Sequence, residues 1–133
     1  MLGGGNPAGG ANPTGIGSNL SYVGNHVSGT SGSVSFNNNE TDVMEFTTVT
    51  NSYIRAQIQF TYIDYNSKDA RFKVYINDQL VYAIQLAVSH NTSTFNNLDI
   101  ILPSDSRVKL TAQNVQDTDA LTTSAIITGR VYA

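Results

Sequence analysis

Between Tyr53 and Val88 the runs YIRAQIQFTYI, RFKVYIN and QLVYAIQLAV follow one another with only short polar breaks. Each alternates apolar and polar residues, the period of a strand with one face on a core. This pattern constrains a fold strongly, because a one-residue slip turns every side chain to the other face. Ile54, Ala56, Ile58, Phe60 and Tyr62 share one face of the first run, with Arg55, Gln57, Gln59 and Thr61 opposite. In the second, Phe72, Val74 and Ile76 face inward, and Arg71, Lys73 and Tyr75 outward. Asn77-Asp78-Gln79 is a tight-turn signal. The three runs read as an antiparallel meander at the centre of a β-sandwich. In the third, Leu80, Tyr82, Ile84, Leu86 and Val88 share a face, while Val81, Ala83, Gln85 and Ala87 make the other. That second face is also apolar. The pattern predicts a strand that is deepest in the fold or set against a sister subunit. Val81, Ala83 and Ala87 are therefore candidate subunit-interface residues.

Shorter strands are predicted around the meander. LSYVG (20–24) and SVSF (33–36) are separated by His26, Val27 and a flexible SGTSGS turn. DVMEFTTV (42–49) places Met44, Phe46 and Thr48 on one face and Val43, Glu45, Thr47 and Val49 on the other. Residues 95–102 carry Leu98, Ile100 and Leu102 on one face, and 107–115 turn Val108, Leu110 and Ala112 inward. A loop is expected over 116–123, then a final strand over 124–133 whose Gly129 signals a bulge or a close approach of backbones. Eight or nine strands without an amphipathic helical stretch read as an all-β antiparallel sandwich, jelly-roll-like.

The first 39 residues contain no Asp, Glu, Lys or Arg, and ten of the eleven glycines lie before position 33. Glycine costs entropy to order and proline interrupts regular hydrogen bonding. Residues 1–18 are expected to form an extended Gly/Pro/Asn-rich arm, with the sandwich over 19–133. An uncharged arm suits burial on a neighbouring subunit, through Leu2, Pro7, Pro13 and Ile16.

Composition removes several functions. Without Cys there is no disulfide, thiolate metal site or thiol nucleophile. A net charge of −3 with seven Lys and Arg lacks the footprint of a nucleic-acid binder. No apolar run approaches the ~20 residues that span a bilayer, and the N-terminal sequence lacks the features of a secretion signal. The glycines precede no Lys-Ser/Thr, so no phosphate-binding loop forms. Sequons at Asn19, Asn39 and Asn91 are expected by chance in so Asn- and Thr-rich a chain.

Few residues suggest chemistry. His26 and His90 lack partners at metal-ligand spacing, and no nucleophile-elbow motif occurs. Glu40, Asp42 and Glu45 cluster, as do Asp117 and Asp119, while Asp64 and Asp69 flank a loop. Paired carboxylates serve glycoside hydrolysis or calcium binding, yet such spacings in loops are commonly turn chemistry. No cofactor is expected, and calcium at a carboxylate loop stays open. Tyr53, Tyr65 and Tyr75 offer outward rings that could stack on sugars. Cross-strand packing accounts for them without a ligand.

ETDVMEFTT (40–48), FKVYINDQLVY (72–82), ILPSDSRVKLTAQN (101–114) and TGRVY (128–132) together resemble small jelly-roll structural proteins of tailed bacteriophages. The resemblance covers residues 20–133. It implies a non-enzymatic capsid cement or decoration protein in the virion, assembled in the host bacterial cytoplasm. The implied partner is the major capsid protein, with a homo-oligomer, a trimer, as the assembled form. It implies no catalytic residue. The alternative is a receptor- or carbohydrate-binding head of a tail fibre or spike, and a small hydrolase ranks last.

Overall fold

A computed structural model describes residues 20–63, 68–86 and 93–132, and their side chains other than those of 62–63, 86 and 93–96. The described residues form ten strands and no helix. These are β1 (Ser21–Val23), β2 (His26–Thr30), β3 (Val34–Phe36), β4 (Thr41–Thr47) and β5 (Tyr53–Ile63), then β6 (Ala70–Ile76), β7 (Gln79–Leu86), β8 (Ser93–Leu102), β9 (Arg107–Asn114) and β10 (Leu121–Tyr132). They make two antiparallel sheets. Sheet A runs β1-β2-β10-β5-β8, with β3 also paired to β10, and sheet B runs β4-β9-β6-β7. The all-β sandwich expected from the alternating runs is the observed fold, and it is jelly-roll-like. The arm residues Leu2, Pro7, Pro13 and Ile16 lie outside the described residues, as do Tyr65, Ala87 and His90.

The inward residues of the two sheets meet in one core. Sheet A contributes Ile54, Ile58, Phe60, Leu102, Ala125 and Ile127, and sheet B contributes Met44, Phe72, Val74, Val108 and Leu110, all with no measurable exposure. Phe60 and Phe72 bridge the sheets with ring centroids 5.2 Å apart. Truncating such a ring to Ala costs roughly 3–5 kcal/mol. The faces assigned to β5, β6 and β9 from alternation are those observed, with the Tyr62 side chain outside the description.

The meander is not formed. β5 pairs with β10 and β8 in sheet A, whereas β6 pairs with β7 and β9 in sheet B. The chain changes sheets between Ile63 and Ala70, so of these three strands only β6 and β7 form a hairpin. Its turn, Asn77-Asp78, has positive φ at both residues (52° and 67°), as the tightest hairpin turns require. The turn is anchored to β9: Asn77 N–H donates to the Arg107 carbonyl, and Arg107 N–H donates to Asn77 Oδ1.

Nor is β7 deepest in the fold. It is the edge strand of sheet B, with Leu80 52% and Val81 47% exposed. Between Val74 and Tyr75 the register slips, so Val74 faces Tyr82 but Tyr75 faces Leu80. This bulge turns Leu80 to the outer side, away from the face of Tyr82 and Ile84, which pack on the core. A second bulge, between Asp42 and Met44, buries Val43 beside Met44 rather than turning it outward.

Three further differences are local. The SGTSGS turn is shorter than expected, because β2 extends through Thr30 against β10. β10 begins at Leu121, shortening the preceding loop, because Leu121–Thr123 pair with β3. β4 ends at Thr47, and Thr48 instead hydrogen-bonds to the turn before β9. Gly129 causes no bulge: the ladder with β5 stays in register, and the two backbones approach closely there.

Candidate functional site

The outward side chains of sheet A are placed in rows by the strand register. β10 is flanked by β2 and β3 on one edge and by β5 on the other, and β8 continues the sheet. One row reads His26, Arg130, Arg55, Ile101 across β2, β10, β5 and β8. The next reads Ser28, Thr128, Gln57, Asp99. Toward the end of β10, Tyr53 and Tyr132 are cross-strand partners whose rings stack at 5.4 Å and 15°.

These rows line an open groove of about 780 Å³ over β5, β8 and β10, which includes Tyr53, Arg55, Gln57, Asp99, Arg130 and Tyr132. Gly129 helps to shape it. A Cβ there would meet the Arg55 carbonyl oxygen at 2.5 Å and Ala56 Cα at 3.1 Å.

The outer face of sheet B is built differently, from matched charges. Glu40 accepts hydrogen bonds from Tyr75 Oη (2.6 Å) and Thr111 Oγ1 (2.7 Å), and Lys73 Nζ stands 3.5 Å away. Burial opposes ionisation of Glu40. The two hydroxyl donors and the lysine outweigh it and bring the carboxyl below its ordinary range. The Tyr75 hydroxyl is pushed up to about 12, chiefly because ionising it would break its bond to Glu40. Glu45 pairs with Arg107, which also reaches Asp78, and Asp42 pairs with Lys109.

The loop after β9 closes on itself. The buried Asn114 donates to Asp117 Oδ1 at 2.8 Å and to the Asp119 carbonyl at 3.0 Å. Lys68 Nζ lies 2.6 Å from Asp117, whose carboxyl is held at about 2, first by that lysine and then by the Asp119 and Asn114 donors. Among the described residues no group of three or more His, Cys, Asp or Glu is placed to hold a metal.

The fold is similar to that of a chain in a virus particle. A chain of the T13 IBDV viral particle aligns at a TM-score of 0.51 with 10% identity, covering 93% of this chain and 35% of that one. Dimeric latent PorU from Porphyromonas gingivalis aligns at 0.49 and 10% identity, over 91% of this chain and 14% of that one. A chain from infectious bursal disease virus Gx strain aligns at 0.46 and 12% identity, over 92% and 37%. This chain thus spans about a third of the virus-particle chain's length. No protein-family profile and no curated protein sequence matches it.

The candidate residues from sequence are dispersed. Tyr53 stands in the groove on sheet A, whereas Tyr75 lies on the outside of sheet B, committed to Glu40. The structure therefore does not bring these two into one stacking site. Val81 and Ala83 are exposed together on the β7 edge. The carboxylate clusters are present but divided among ion pairs: Glu40, Asp42 and Glu45 each take a cation, and Asp117 and Asp119 share Lys68. The pairing of Arg55 with Arg130 had no sequence signal beyond the outward phase of Arg55, because nothing in alternation says which strands are neighbours.

Proposed function

We propose that this chain is a non-enzymatic structural protein of a virion. It is a capsid cement or decoration protein that binds the outer surface of an icosahedral shell and bridges capsomers. The observation that carries this reading is the shared two-sheet fold, which spans 93% of this chain and occurs in a chain of a viral particle. The surface of sheet B supports it. Ion pairs neutralise most of that face, while its β7 edge leaves Leu80, Val81 and Ala83 open.

In this reading the chain works as a homo-oligomer, a trimer, on the major capsid protein. The β7 edge and the uncharged arm, through Leu2, Pro7, Pro13 and Ile16, supply its contacts. In this reading binding comes from shape, the β-sheet surface and the arm, and needs no catalytic group. Assembly takes place in the cytoplasm of the bacterial host.

The test is to mix the full chain, and a form lacking residues 1–18, with assembled shells and to image them by cryo-microscopy. Ordered density bridging capsomers, weakened by the truncation, is the expected result. Density confined to a tail, or shells left bare, would overturn the reading.

A further inference from the structure

Arg55 and Arg130 are directly opposed on neighbouring central strands of sheet A, and both are exposed. Cross-strand partners stand about 5 Å apart at Cβ, and like charges so placed destabilise a sheet. Of the seven Lys and Arg, four (Lys68, Lys73, Arg107 and Lys109) are ion-paired. Arg71 donates to Gln85. Among the described residues, no carboxylate lies within ion-pairing distance of Arg55 or Arg130. Two adjacent guanidiniums lining a groove are a local conflict of the kind found at functional sites.

The rest of the groove narrows the ligand. Guanidinium groups favour carboxylate and phosphate. Asp99 stands one row away, its Oδ1 3.4 Å from Gln57 Nε2, and the chain carries −3 overall. A densely charged polyanion such as a phosphate chain would be repelled by both more strongly than a sugar chain with one carboxylate per ring. Asp99, Gln57 and Thr128 instead supply the acceptors and donors that hydroxyls need. The stacked Tyr53–Tyr132 pair adds an aromatic boundary.

We propose that this groove binds a carboxylate-bearing sugar, the uronic or similar acidic unit of an oligosaccharide. Its carboxylate lies between Arg55 and Arg130, its hydroxyls face Gln57, Asp99 and Thr128, and its ring lies toward Tyr53. The proposal stands apart from the shell-binding reading and does not depend on it.

The test uses the full chain with trigalacturonate, neutral galactotriose and a glutamate-rich peptide as probes. Calorimetry gives affinity, and backbone amide shifts give location. The expected result is binding of trigalacturonate alone, with shifts concentrated on residues 53–57, 99–101 and 128–132. Arg55→Gln and Arg130→Gln should each weaken it about tenfold or more. Because both arginines are exposed, the variants should melt at or above the parent temperature. The shift map of the unmodified protein stands even if a variant fails to fold. Equal binding of galactotriose or of the peptide, shifts elsewhere, or no binding of trigalacturonate would overturn the proposal.

Discussion

Gly129 lies so close to Arg55 that a Cβ on the glycine would sit 2.5 Å from the arginine's carbonyl oxygen. The obstacle is backbone, paired in a continuous eleven-residue register, and cannot rotate aside. Gly129→Ala must therefore separate β10 from β5 locally. The expected loss is about 2–3 kcal/mol, the cost of overpacking a rigid site. Chemical denaturation checks it, and a loss below half of that would mean the strands yield easily.

Thr48 provides a second test, at the opposite chemical extreme. It is buried, its hydroxyl donates to the Pro103 carbonyl at 2.6 Å, and it accepts from Ser106 N–H at 2.9 Å. Thr48→Val keeps the shape and removes both bonds. Leaving a buried N–H and a carbonyl short of partners should cost roughly 1–3 kcal/mol. A valine variant as stable as the parent would show that the turn before β9 does not depend on this hydroxyl.

The Glu40–Tyr75 pair predicts a pH dependence with two limbs. Glu40 is depressed when folded, so its contribution is present above the ordinary glutamate range and is lost as pH falls through the folded value. Tyr75 is raised to about 12, so its contribution is complete below pH 10 and is lost as pH climbs toward 12. Glu40→Gln should flatten both limbs in melting experiments between pH 3 and pH 11. In the same variant one tyrosine should ionise nearer its ordinary value, read from tyrosinate absorbance. An unchanged absorbance titration would count against the bond.

Assembly is predicted to depend on the β7 edge. Val81→Glu and Ala83→Glu replace exposed side chains and should leave the monomer's melting within about 0.5 kcal/mol of the parent. Both should reduce self-association and shell binding more than Gln57→Glu or Gln59→Glu on sheet A. Light scattering and co-sedimentation with shells read the difference, and equal tolerance at all four positions would remove this edge from the interface.

Alternation made the face of most residues legible, because it reports burial one strand at a time. Ile54 through Phe60, Phe72, Val74, Val108 and Leu110 are where their phase puts them. Pairing was not legible, since β5 and β6 are adjacent in sequence and similar in pattern yet belong to different sheets. Bulges defeated strict phase at Val43 and Leu80, each of which lies beside a register shift. The groove was the least legible part. Arg55 and Arg130 are brought together only by the β5–β10 ladder, which no local signal encodes. β2 was missed because HVSGT is short and carries serine, glycine and threonine, a composition that reads as turn.

β10 pairs with β2 and β3 along one edge and with β5 along the other, and it follows all of them in the chain. Synthesis delivers strands in sequence order. A nascent polypeptide that has not yet exposed Leu121 can join β1 to β2 and β5 to β8, but it holds them as separate ribbons. The hydrophobic faces of Val27, Phe36 and Ile58 then wait, uncovered, for a segment still inside the ribosome. Completion of sheet A thus waits for the synthesis of β10, and the interval between β8 and β10 is when these strands most need protection from their neighbours.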